Sequence, residues 1–395
     1  MTRANSSYCY RVFLAINILA RRDSLPFCLL RYHPLKLYAT YSLCALDKAT
    51  GALLAETQCA SEPKLVEKFI NGLAEELDPD TKFVTGYEAG ILGYSLYRSL
   101  KNLGIDCIIL APTTMYSSAK NKMVKNDSMD ARMIAKNLAA NTYCAVYVPD
   151  EADNEVKEFI RLRKMMKKDL IRVKQQIGMF LLRQGLKCSA SKWTLAYMDW
   201  LKKVPLSPVL RSVLDEMTLQ KSELEEKIAR YDQTIETFAN SERYTKPIHA
   251  LTSMKGFKTT TAMTIHIEIA DFKRFKTAKA FMSYVGLNPS EHSSGDHTIK
   301  GGISKQGNSI VRTTIIEATQ GLVKGSIGYK SRALKARQAG QESAVISYAD
   351  KAGAHLHRKF TRMLTQGKSY NVAIAAVARE LAGFIWGMET GNINY

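Results

Sequence analysis

Residues 82–111 read KFVTGYEAGILGYSLYRSLKNLGIDCIILA. Two short runs, KFVTGY and DCIILA, are rich in β-branched and aromatic residues. Between them Ile91, Leu92, Leu96, Leu100 and Leu103 recur at helical spacing, and Gly104 ends the pattern. The stretch predicts a β-α-β unit with parallel strands. On its N-terminal side, YSLCAL and ALLAET flank the turn-forming KATG, which predicts an antiparallel hairpin. A hairpin followed by a β-α-β unit points to a mixed α/β sheet of the ribonuclease-H kind, with VFLAI as a further strand. Residues 18–41 fit this scheme badly: 25–41 carry Pro26 and Pro34 without a clean period, and read as an insertion or an irregular segment.

Past Glu151 the periodicity changes. Met166, Leu170, Val173, Ile177 and Phe180 alternate steps of four and three, as do Leu210, Leu214, Met217, Lys221, Leu224, Ile228, Tyr231, Ile235 and Phe238, where only Lys221 breaks the seam. Two long coiled-coil-like helices are expected, hinged at KKVPLSPV. The first carries Lys157, Arg161, Arg163, Lys164, Lys167, Lys168, Arg172 and Lys174. Such a face suits a phosphate backbone and equally suits plain solvation.

From about Thr245 the chain reads as mainly helical. Two helical patterns joined by Met254-Lys255-Gly256-Phe257 resemble a helix-hairpin-helix, whose backbone N–H groups receive a phosphate; an ordinary helical packing unit has the same pattern. Then follow FMSYVGL, the polar, glycine-rich stretch PSEHSSGDHTIKGGISKQGN (289–308), and a helix with Arg312 in its first turns. The polar stretch reads either as a solvated loop or as a phosphate-binding loop that holds a serine nucleophile, with Lys305 and Arg312 beside it.

The whole chain has 395 residues, 46% of them hydrophobic, enough for more than one core. Its 56 Lys and Arg against 37 Asp and Glu give a net charge of +19, which favours a polyanionic partner, nucleic acid before a membrane surface. Seven scattered cysteines with no C-x-x-C pair argue against a disulfide framework or a zinc site and for a reducing, cytoplasmic compartment. YRVFLAINILARRD has an apolar run of signal length, but Arg21 and Arg22 follow the run, and no stretch is expected to span a membrane.

Three carboxylates stand out. Glu88 ends a predicted strand, at the sheet edge where α/β folds gather ligands. Asp127 and Asp130 begin a helix and share one face. Converging carboxylates suit a pair of hard cations, while an acidic pair at a helix start also serves simply as a cap.

YEAG, KNDSMDARMIAKNL, ALTSMKGFKTTTAM and FMSYVGLNPSEHSSGDHTIKGGISKQGNSIVRTTIIEA occur in this order from residue 87 to residue 318. The chain resembles in them the DEDD transposases of the IS110 insertion-sequence family, recombinases guided by a bridge RNA, a likeness that runs from about Tyr41 to the last helix. The resemblance implies a RuvC-like domain over 1–148, a coiled-coil dimerisation segment over 149–244, and a C-terminal transposase domain over 245–395. It also implies DNA and a structured guide RNA as partners, a dimer or tetramer, and Mg2+ at Glu88, Asp127 and Asp130. Matching the family pattern G-L-x-P-x-x-x-x-S-G, Gly286-Leu287-Asn288-Pro289 leads to Ser294-Gly295, so Ser294 is the implied nucleophile, with Ser293 the neighbouring alternative and His292 a hydrogen-bonding group or base. One position departs from the family. Its first aspartate falls on Asn17, a neutral amide and a poor magnesium ligand, with Asp23 and Asp47 as conceivable substitutes.

Overall fold

The computed structural model describes residues 11–20, 39–90, 93–116, 127–294 and 297–393, and these form two compact units, 1–148 and 149–395. In the first unit, strands β1 (Arg11–Ala20), β2 (Ala39–Asp47), β3 (Leu53–Ala60), β4 (Lys82–Glu88) and β5 (Cys107–Leu110) make one sheet in the order β3-β2-β1-β4-β5. β1 runs antiparallel to β2 and parallel to β4, and β4 runs parallel to β5. The expected hairpin and β-α-β unit are both present, the latter closed by α2 (Ser95–Asn102).

Period two sorts β2 onto two cores. Tyr41, Leu43 and Ala45 join Ile16, Tyr87 and Ile109 under α1 (Pro63–Glu76) and α2, while Cys44 and Leu46 join Leu110 under α3 (Asp127–Ala140). Helix α1, which the sequence reading passed over, starts with Pro63 at a position where a missing N–H costs nothing, and buries Val66, Ile70 and Leu73. The irregular segment is shorter than expected. Ile18, Leu19 and Ala20 pair with Tyr41, Thr40 and Ala39, so both ends of 18–41 extend the ladder, and residues 21–38 lie outside the described residues.

The second unit is built on α4 (Glu151–Arg183), α5 (Leu195–Lys203) and α6 (Pro208–Ala239). Arg163 pairs with Asp232 at 2.7 Å and Lys174 with Glu225 at 2.9 Å, so α4 and α6 run antiparallel within one chain. Lys221 breaks the apolar seam without an uncompensated charge: its ammonium is buried, donates to Glu225 at 2.7 Å and lies 5.9 Å from the Trp193 ring centre. Val173, Ile177 and Phe180 of α4 close with Tyr197 and Leu201 of α5 on one apolar cluster. Ile160 and Ile235 belong instead to the main core of the unit.

That core is completed by α7 (Glu242–Thr252), α8 (Thr259–Ile269), α9 (Ala278–Tyr284), the ribbon β6 (Pro289–Ser294) and β7 (His297–Ile303), α10 (Ser309–Leu322), α11 (Arg332–Gln338), α12 (Ser343–Thr365) and α13 (Tyr370–Thr390). Helix α13 corrects the expectation that no segment reaches spanning length: it is 21 residues long and apolar enough to cross a membrane. Its Ala373, Val377, Ala378, Leu381, Ala382 and Ile385 are buried among the other helices, which accounts for the composition as that of a core helix.

Candidate functional site

Glu88 is the last residue of β4, one past Tyr87, which pairs with Ile16 of β1. Asn17 follows Ile16 and pairs across β2 with Ser42. Asp127 and Asp130 form the first turn of α3, which packs across β1, β2 and β4. The sequence elements thus gather at one sheet. Among the described residues no group of three or more His, Cys, Asp or Glu side chains could hold a metal ion. At Asn17, where the family resemblance sets the first aspartate, the chain offers an amide, a poorer ligand for a hard cation than a carboxylate. Asp47 is no substitute: its carboxylate accepts from Ala49 N at 3.0 Å and Thr50 Oγ1 at 2.6 Å inside the β2–β3 turn, and these bonds hold its pKa below the usual value. Asp23 lies outside the described residues.

The polar stretch 289–308 is not an open loop. β6 and β7 pair antiparallel, His292 with Ile299, Ser293 with Thr298 and Ser294 with His297; Gly295 and Asp296 lie outside the described residues. Thr298, Ile299 and Ile303 supply β-branched residues that suit a ribbon, and hydroxyl-rich composition concealed that signal. Both legs are fastened at the base. Ser304 N donates to Asn288 O at 2.8 Å, Lys305 N to Gly286 O at 3.1 Å, and Arg312 Nη1 to the carbonyls of Val285 and Gln306 at 3.0 and 2.9 Å. Gly286 has φ +68°, and a Cβ there would collide with the Gln306 backbone, so only glycine lets the legs meet. Arg312, expected beside a bound anion, also clamps the two legs through Nη1, and burial lowers its pKa. Lys305 stays exposed, at φ +57°.

Behind this base sits Glu268 of α8, its side chain 0% exposed. It receives Arg161 of α4 through two bonds of 2.8 and 3.1 Å, Asn308 Nδ2 at 3.0 Å, and the Lys157 ammonium at 3.9 Å. Burial pushes its carboxyl up, but Arg161, Asn308 and Lys157 together hold it below the usual value. Asn308 also caps α10 by accepting from Ile310 N and Val311 N. The C-terminal leg of the ribbon is therefore tied to the long helix α4 through one buried carboxylate. Neither Glu268 nor Asn308 was legible as a site residue; the one signal was a lone acid in the apolar run TAMTIHIEIA.

Ion pairs take up most of the basic face of α4. Lys157 and Arg161 meet Glu268, Arg163 meets Asp232, Arg172 meets Asp169 and Lys174 meets Glu225. Lys164 is half-buried with its ammonium 3.5 Å from the Ile310 carbonyl, Lys167 lies 3.8 Å from Glu317, and Lys168 is exposed. At the α7–α8 turn, Met254 and Phe257 are fully buried and Lys255 Nζ donates to Lys324 O at 2.7 Å. Gly256 has φ +90°, and a Cβ there would overlap the Ala318 carbonyl and lie 2.8 Å from Leu322 N, so its backbone is pressed against α10. The turn works as a packing unit.

A family model described as a transposase matches residues 39–184, and one described as "Transposase IS116/IS110/IS902 family" matches residues 248–334. A putative transposase of Sinorhizobium fredii is 32% identical over 305 residues, 76% of this chain and 73% of the relative. The chain belongs to the IS110 family of transposases. This transposase also resembles the transposase for insertion sequence element IS1533 of Leptospira borgpetersenii, 26% identical over 338 residues, 83% of this chain and 95% of the relative. A third relative, the transposase for insertion sequence element IS1111A of Coxiella burnetii, is 24% identical over 280 residues, 68% and 75% of the two chains. The second match contains Gly256, Glu268, Ser294 and Arg312; the first begins at β2, so β1 and Asn17 fall outside both.

Proposed function

We propose that this transposase cuts and rejoins DNA with the Ser294 hydroxyl as nucleophile, that its first unit is RuvC-like, and that it works as a homo-oligomer directed by a structured guide RNA. The observation that carries the serine reading is the ribbon: it brings Ser294 to the end of β6 while both its legs are fastened by Arg312, Gly286 and the Glu268–Asn308 tie. A nucleophile on so constrained a base loses little orientational freedom when DNA arrives. In the cutting step Ser294 Oγ forms a bond to phosphorus, the bond from phosphorus to one deoxyribose oxygen breaks, and the serine proton ends on that oxygen. Rejoining reverses these changes with the hydroxyl of another strand, so the count of phosphodiester bonds is kept and no energy-rich cofactor is needed.

The sheet order β3-β2-β1-β4-β5 with antiparallel β1–β2 supports the RuvC-like reading. Exposed Met179 and Leu182 on α4, at 54% and 55%, support oligomerisation through the long helices. The net charge of +19 suits two nucleic-acid partners. Asn17, an amide where the family sets its first aspartate, favours a second reading for this copy, in which it binds DNA but does not cut it. Strand cleavage on a junction-bearing DNA separates the two: the proposal expects cleavage by the native chain and by Ser293→Ala, and none by Ser294→Ala, which keeps its DNA affinity. Cleavage by Ser294→Ala overturns the serine assignment, and no cleavage by the native chain selects the second reading.

A further inference from the structure

A cavity of about 370 Å³ opens between residues 328–330 and α12, with no ribbon residue in its lining. Lys255, Lys330, Lys351 and Arg358 line it against a single carboxylate, Asp350. Lys330 is committed to Asp350 and to Gln338 Oε1 at 2.9 Å, which leaves the wall with a surplus of positive charge. Lys351 and Arg358 are exposed and lie seven residues apart on α12, two turns along one face. Gly353, between them, has nothing within 4 Å of where a Cβ would stand, so the helix backbone is open to an incoming group there. Tyr329 adds a hydroxyl at the rim and is 63% exposed.

The decisive group is His357. It lines the same cavity, is only 6% exposed, and its Nδ1 has no hydrogen-bond partner. An unpaired buried ring nitrogen is disfavoured unless a partner arrives. Burial lowers the pKa of the imidazole and the Lys255 charge lowers it further, so both favour the neutral ring.

We infer that this cavity binds a backbone phosphate of DNA, with Lys351, Arg358 and Lys255 supplying charge and His357 supplying a directed hydrogen bond. The inference stands apart from the serine assignment, since a chain that binds without cutting would use the cavity in the same way. It differs also from the helix-hairpin-helix expectation, because the side chains of α12 and not the backbone of the α7–α8 turn receive the phosphate.

The test uses the full-length chain and a DNA duplex, with affinity measured across a salt series. Lys351→Gln/Arg358→Gln is compared with Lys203→Gln/Lys227→Gln, an exposed pair outside the cavity with the same loss of charge. The cavity pair should lose at least about tenfold in affinity and flatten the log–log salt slope by about one, as expected for a lost phosphate contact. The control pair should lose less than about threefold, from the same long-range charge term alone. His357→Phe keeps the ring shape and removes both nitrogens; it should weaken DNA binding without lowering the thermal midpoint of the free protein. Equal losses for the cavity pair and the control pair would overturn the site, as would unchanged affinity in His357→Phe.

Discussion

Glu268→Ala removes the carboxylate that joins α4, α8 and the start of α10. The Lys157 ammonium, its side chain 8% exposed, is then left buried without that counter-charge, and Asn308 Nδ2 loses its acceptor. Arg161, at 41% side-chain exposure, can turn towards water and recover part of the loss. Breaking a buried pair from one side costs about 3–5 kcal/mol, and the freedom of Arg161 points to the lower end. Trp193, Trp200 and Trp386 all belong to the second unit, so tryptophan fluorescence during urea unfolding of the full chain reads the unit that contains Glu268. With a slope of about 2 kcal/mol per M, the midpoint should fall by roughly 1.5 M. Adding Lys157→Met removes the stranded charge and should restore at least about 1 kcal/mol, because residues in contact do not add. A midpoint shift in Glu268→Ala below about 0.5 M, on the same slope, would refute the idea that the carboxylate is a buried tie.

Gly256→Ala forces a side chain into the Ala318 carbonyl at φ +90° and should cost about 2–4 kcal/mol in the same assay, from backbone strain and overpacking together; a loss under about 1 kcal/mol would mean that α10 is not held against the turn. His266 Nδ1 lies 3.0 Å from Glu389 Oε2; burial pushes its pKa down, but the bond and charge of Glu389 outweigh this and leave it above the usual 6.5. A raised pKa stabilises fully below the unfolded value and is lost as pH rises through the folded one, so the midpoint should fall as pH climbs from about 6.5, and Glu389→Gln should flatten that slope. Asn17→Asp adds a carboxylate at the position that follows the Ile16–Tyr87 pair and should tighten Mg2+ binding measured by calorimetry; no change would show that Asn17 does not stand at the missing ligand position.

Much of the architecture was legible because it is written locally. The steps of four and three along Met166–Phe180 and Leu210–Phe238 marked α4 and α6, and alternating Leu43, Cys44, Ala45 and Leu46 mark a strand buried on both faces. Helix α1 carried a readable signal in Pro63 and the spacing of Val66, Ile70 and Leu73. The ribbon was masked by its hydroxyl-rich composition. The site-building ties were not legible at all: Arg161 and Glu268 are 107 residues apart, Arg312 reaches back 27 residues to Val285, and Gly256 meets α10 only in the folded chain. No local period encodes such partners, which is why Lys157, Arg161 and Arg312 read as charge for nucleic acid while in the fold they are tied to Glu268 and to the carbonyls of Val285 and Gln306.

The central claim, that Ser294 is the nucleophile, is tested most directly by quenching a reaction of the native chain with its junction DNA in denaturant and mapping the covalently attached nucleotide by peptide mass spectrometry. The account predicts a phosphodiester-linked nucleotide on Ser294 and none on Ser293. A linkage on any other residue, or cut DNA with no protein attached at any time, would contradict it.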